Sequence, residues 1–131
     1  MRIESLFYDY IDANGVNVIK AWLDGQEPKV KAKLNTRLST LEQLDRGEWG
    51  SMTEILKGDK DGLIAVKAKY RRIQYRLLGY YGPYRGEITL LACGYEKNNK
   101  YIPLDIGRKA FERREAVEEN PTAGRRHHDF G

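Results

Sequence analysis

At residue 62 the apolar pattern of this chain changes its period, from the 3.6 of a helix to the 2 of a strand. Upstream, Pro28 sits where a first-turn proline belongs, and Val30, Leu34, Leu38, Leu41 and Leu44 form one stripe that Gly47 closes. Val16, Ile19, Trp22 and Leu23 predict a shorter helix ending at Asp24-Gly25. Downstream, residues 63–70, 73–81 and 87–97 alternate as three strands, the last apolar on both faces and therefore central. Gly94 within it marks a bulge or a close backbone approach. Residues 2–9 predict a first strand, and Ser51 to Glu54 a capping box for one or two helical turns. Pro103 opens a last helix carrying Ile106, Ala110, Phe111 and Val117, which Asn120-Pro121 ends. The expected fold is α+β: an N-terminal strand and helical hairpin packed on a small, mainly antiparallel sheet, with a C-terminal helix. Residues 1–119 are expected to form one domain, and 120–131 a disordered tail.

A chain of 131 residues suits one domain. It has no apolar run long enough to span a bilayer and no basic-then-apolar leader. Its single cysteine, Cys93, excludes an internal disulfide, so a cytoplasmic protein is expected. A P-loop, a dinucleotide fingerprint and His/Cys metal spacings are missing, and neither metal nor cofactor is expected. Charge is segregated: residues 1–65 hold 9 Lys/Arg against 11 Asp/Glu, whereas 67–114 hold 12 against 4. Such asymmetry points to a polyanion on one side of the molecule.

Alternation puts Lys67 and Lys69 on one face of a strand, and Arg72, Gln74 and Arg76 on one face of the next. Paired as a hairpin, they bring four cations together, an arrangement suited to phosphate. Tyr95, Lys97, Lys100 and Tyr101 follow nearby, and aromatics between cations stack on unpaired bases. The plainer alternative is an edge hairpin kept from aggregating by its Lys and Arg residues.

Val66-Lys-Ala-Lys69, Tyr75-Arg-Leu-Leu78 and Ile88 to Lys97, followed by Lys100-Tyr-Ile-Pro103 and Ala110-Phe-Glu-Arg-Arg114, resemble the RelE/ParE/HigB toxin superfamily, most of all its phage-derived RelE-like branch. The resemblance spans about residues 5–118 and is most specific over 63–114. It implies the toxin of a type II toxin–antitoxin pair, an mRNA interferase acting on the ribosome, with a cognate antitoxin, the ribosome and mRNA as partners. On that resemblance Lys67, Lys69 and Arg76 are catalytic, as is Lys97 or Lys100, and no metal is used. Arg72, Gln74, Tyr95, Tyr101 and Arg108 are then the RNA-contact candidates. The family's tyrosine or histidine near the last helix has no clear counterpart, Tyr101 being nearest. A ParE-like toxin that inhibits a topoisomerase by protein contact, and a noncatalytic phage-related RNA-binding protein, are the alternatives.

Metal-free RNA cleavage runs through attack of the 2′-hydroxyl on the adjacent phosphate, and needs a base, a stabiliser of the phosphorane and an acid. Both histidines, His127 and His128, fall in the expected tail, and Asp and Glu look sparse near the cationic strands. Lys67 or Lys69, crowded by cations, is the expected base. Arg76 with Lys97 or Lys100 is the expected stabiliser.

Overall fold

The computed structural model describes residues 4–130. Strand β1 (Leu6–Tyr10) leads into helices α1 (Val18–Asp24) and α2 (Pro28–Gln43). Strands β2 (Thr53–Ile55), β3 (Ile64–Tyr70), β4 (Ile73–Tyr81), β5 (Glu87–Lys97) and β6 (Lys100–Ile102) follow. Helix α3 (Ile106–Glu119), the single turn α4 (Pro121–Gly124) and strand β7 (Arg125–His127) complete the chain. The strands make one mixed sheet in the order β2-β3-β4-β5-β1-β7, with β6 on the free stretch of β5. Among the described residues only β1 and β5 run parallel, and the other pairings are antiparallel. The α+β expectation holds. Among the described residues no helix is long and apolar enough to cross a membrane.

Each apolar pattern finds its layer. Val30, Leu34, Leu38 and Leu41 of α2 and Ile19 and Leu23 of α1 bury against Phe7, Val66, Leu77, Ile88 and Leu90 on one face of the sheet. Ile106, Ala110 and Val117 of α3 cover the other face at Ala65, Leu78, Tyr80 and Leu91. Asn17 caps α1, its side chain accepting from the Lys20 amide at 2.9 Å. Trp49 closes the α2 side by donating from Nε1 to the Leu41 carbonyl at 3.0 Å.

Gly94 answers to a close approach. A Cβ there would meet the Ile102 carbonyl at 2.5 Å and the Ile106 side chain at 2.8 Å. The irregular register lies instead between Leu78 and Gly79, where β4 meets β5.

Three local expectations change. The first strand begins at Leu6, and residues 2 and 3 lie outside those described. Ser51 to Glu54 is not a helix start: a 3₁₀ turn over Gly50–Met52 leads into β2, where Glu54 pairs with Ala65. Pro103 precedes the last helix, which starts at Ile106.

The largest correction concerns residues 120–131. Residue 131 lies outside those described, and 120–130 are not a disordered tail: α4 and β7 fold back on β1, with Tyr8 opposite His127 and Tyr10 opposite Arg125. His128 beyond them is 2% exposed. Its Nδ1 lies 2.8 Å from Asp9 Oδ1 and its Nε2 2.8 Å from Asn35 Oδ1. Asn17 donates to the other Asp9 oxygen at 3.0 Å. A buried carboxylate needs such partners, and this one supplies the reason the last residues order.

Burial raises the pKa of Tyr8, Tyr75, Tyr80 and Tyr101 above the ordinary phenol value, and pushes the Cys93 thiol up as well. A raised acid contributes stability that is complete below its unfolded pKa, about 10 for tyrosine and about 8.5 for cysteine, and that drains away as pH climbs toward the folded value. The Tm is therefore expected to be at least about 5 °C lower at pH 10.5 than at pH 8. Equal melting curves at the two values would refute this. The same shift keeps the Cys93 thiol protonated near neutrality, as suits a structural cysteine rather than a nucleophile.

Candidate nucleic-acid interface

The hairpin of β3 and β4 assembles the centre of the site. Lys67 lies directly opposite Arg76, and Lys69 opposite Gln74. Alternation turns these side chains to the α3 face of the sheet. Glu54 of β2 joins them on one flank and Glu96 of β5 on the other. Arg76 Nη1 is 3.0 Å from Glu54 Oε1, and Nη2 is 2.9 Å from Glu96 Oε2. Lys67 Nζ is 3.5 Å from the same Glu54 oxygen. Tyr101 of β6 lays its ring 5.4 Å from the Arg76 guanidinium, with Lys60 Nζ 4.7 Å from that ring. Arg76 is only 9% exposed, whereas Lys69 stands at the open surface.

The site thus differs from a bare cluster of cations. The carboxylates that looked sparse in the sequence meet at its centre, as Glu54 and Glu96. The hydrogen bond from Arg76 holds the Glu54 carboxyl below the usual carboxylate range, its burial opposing and Lys67 assisting. Glu54 is therefore ionised at neutral pH. The crowding of cations expected around Lys67 is relieved by this carboxylate, which touches both Lys67 and Arg76. Lys69 stands apart at the exposed surface, opposite Gln74.

The other candidates divide by strand face. Tyr95 lies opposite Tyr75, whose ring meets Trp22 of α1, so both tyrosines stand on the α1/α2 face, away from Arg76. Lys97 and Lys100 pair with each other beside the Asn98-Asn99 turn and share the parity of Tyr95 and Ile102. They do not converge with Arg76. Arg72 is not on the β4 face: it shares the two-residue hairpin turn with Arg71, at φ 70° and 49°. Such turns require positive φ and usually take Asn-Gly, so two arginines here cost about 1–2 kcal/mol each. Arg108 lies on the exposed side of α3, bound to Asp105 at 2.8 Å and Glu112 at 2.7 Å.

A rim unites what the faces divide. Gln74 lies opposite both Lys69 and Glu96, so the β3–β4 and β5–β6 turns project from the same end of the sheet. Lys69, Arg71, Arg72, Lys97 and Lys100 stand there, and Lys33 of α2 reaches across to the Lys69 carbonyl. A basic rim around a recessed Arg76 is suited to a phosphodiester backbone. Lys60, Glu54 and Glu96 are the participants that sequence reasoning missed. Glu54 sat in an apparent capping box, Lys60 in a loop, and Glu96 in a strand whose register was open. Among the described residues no group of three His, Cys, Asp or Glu side chains is placed to hold a metal ion. Comparison with family models, with curated proteins and with solved structures finds no match for this chain.

Proposed function

We propose that the protein is an RNA-cleaving toxin of the RelE-like kind, acting on mRNA in the ribosome and held in check by a cognate antitoxin. The observation that carries this reading is the contact of one carboxylate, Glu54, with both Arg76 and Lys67 beneath a basic rim. Those are the three kinds of group that 2′-hydroxyl attack requires. Glu54, ionised, takes the proton from the 2′-oxygen as that oxygen bonds to phosphorus. Arg76 neutralises the non-bridging oxygens of the phosphorane. Lys67, as an ammonium, gives its proton to the departing 5′-oxygen. The products are a 2′,3′-cyclic phosphate and a 5′-hydroxyl end. Tyr101, against Arg76, is placed to stack on a base at the site.

The reading replaces lysine by Glu54 as base. It leaves Lys97 and Lys100 as backbone contacts on the rim, with Lys69 and Arg72. Replacing Glu54 with Gln should slow cleavage by about 10²- to 10⁴-fold with binding retained, because only the proton acceptor is lost. The check is single-turnover cleavage of ribosome-bound mRNA with the ends identified chemically. An undiminished rate in E54Q, or 3′-hydroxyl products from the wild type, would rule out this chemistry. A ParE-like toxin acting by protein contact becomes the better reading if growth stops while transcripts stay whole.

A further inference from the structure

Arg76 is the most buried cation of the site, yet one of its donors has no partner. Its guanidinium offers two edges. Nη1 belongs to Glu54, at 3.0 Å. The edge formed by Nε and Nη2 presents two parallel N–H groups, the geometry that receives a carboxylate or phosphate through two oxygens. Glu96 occupies that edge only at Nη2, by one oxygen at 2.9 Å, and Nε is buried without a hydrogen-bond partner. A buried donor left unpaired is costly and uncommon. Glu96 sits near the end of β5 beside the Lys97–Lys100 turn, its side chain 27% exposed.

We propose that the Nε/Nη2 edge of Arg76 is the seat of the scissile phosphate, and that Glu96 is a stand-in anion which the RNA displaces on binding. The proposal rests on the RNA-cleaving reading above and adds to it a positioning residue. A phosphate pairs both donors, satisfies Nε and leaves Glu54 on Nη1 with its second oxygen free to accept a proton. Glu96 neutralises Arg76 in the free protein and opposes anions that cannot supply two oxygens to that edge. Selectivity then comes from a competing charge as well as from contacts to the substrate. Tyr101, its ring 5.4 Å from the guanidinium, limits the movement of Arg76 while the anions exchange.

The test measures affinity with cleavage blocked, using the full chain and ribosomes carrying an mRNA that is 2′-O-methylated at the A-site codon. Wild type, Glu96→Gln, Glu96→Ala, Arg76→Ala and the Arg76→Ala/Glu96→Gln double variant are compared, each with its urea midpoint recorded. Removing the competing charge should tighten binding by about three- to tenfold in E96Q. E96A is expected to follow E96Q, which covers the case in which either variant folds poorly. The double variant should bind no more tightly than R76A alone, because the gain passes through Arg76. Unchanged or weaker binding in folded Glu96 variants overturns the proposal, as does a gain that persists without Arg76. The underlying reading fails separately, if R76A cleaves unmethylated ribosome-bound mRNA as fast as the wild type does.

Discussion

Arg76→Ala should lower the rate of mRNA cleavage by at least about 10³-fold and abolish growth arrest, the largest functional effect expected of any single change in the chain. The residue stands between Glu54 and Glu96 and faces Lys67 across the hairpin. Its loss removes the charge that meets the phosphorane, and leaves two carboxylates facing the position of an incoming phosphate. Both effects oppose the transition state, so the loss should exceed what removal of one hydrogen-bond donor produces. Arg76→Lys restores the charge but not the two-edged geometry, and should recover only a small part of the rate. Stability enters as well, because two carboxylates lose their partner. Urea unfolding should therefore show a folded variant, weakened by about 1–3 kcal/mol. Full cleavage by a folded Arg76→Ala protein would remove Arg76 from the chemistry.

The largest effect on stability is expected at the opposite end of the molecule. His128→Ala strips Asp9 of a partner at a site where both side chains are 1% exposed. Breaking a buried, hydrogen-bonded pair from one side costs about 3–5 kcal/mol. For a domain of this size that is about a fifth or more of the stability to be expected, roughly 5–15 kcal/mol. The urea midpoint should fall accordingly, and truncation after Gly124 should lower it further by stripping β7 from β1. Adding Asp9→Asn to His128→Ala should recover part of the loss, since no buried charge then remains unpaired. A truncated chain as stable as the whole would mean that the C-terminal residues contribute nothing to the fold.

Sequence periodicity made the layers legible, and little of what joins them. Val30, Leu34, Leu38 and Leu41 announce α2 and its buried face because helix period and burial coincide there. Lys67, Lys69, Gln74 and Arg76 were legible as a cluster because a tight hairpin sets its own register. Beyond the hairpin, alternation orders residues within a strand but is silent on register between strands. Tyr95 and Lys97 accordingly fall on the face opposite Arg76, while Glu96 between them reaches it. Glu54 stands in a strand of three residues, too short to show a period. His128 is invisible for a different reason. Its partner lies 119 residues away, and a polar stretch with arginines and histidines has the composition of a tail until Asp9 is seen to need it.

The most direct test of the RNA-cleaving site is to map transcript 5′ ends in bacteria expressing the wild type or Arg76→Ala from an inducible promoter. The site described here predicts new 5′-hydroxyl ends at a fixed position within codons in the wild type, and their absence in the variant. Growth arrest with transcripts intact, or cuts that persist without Arg76, would contradict it.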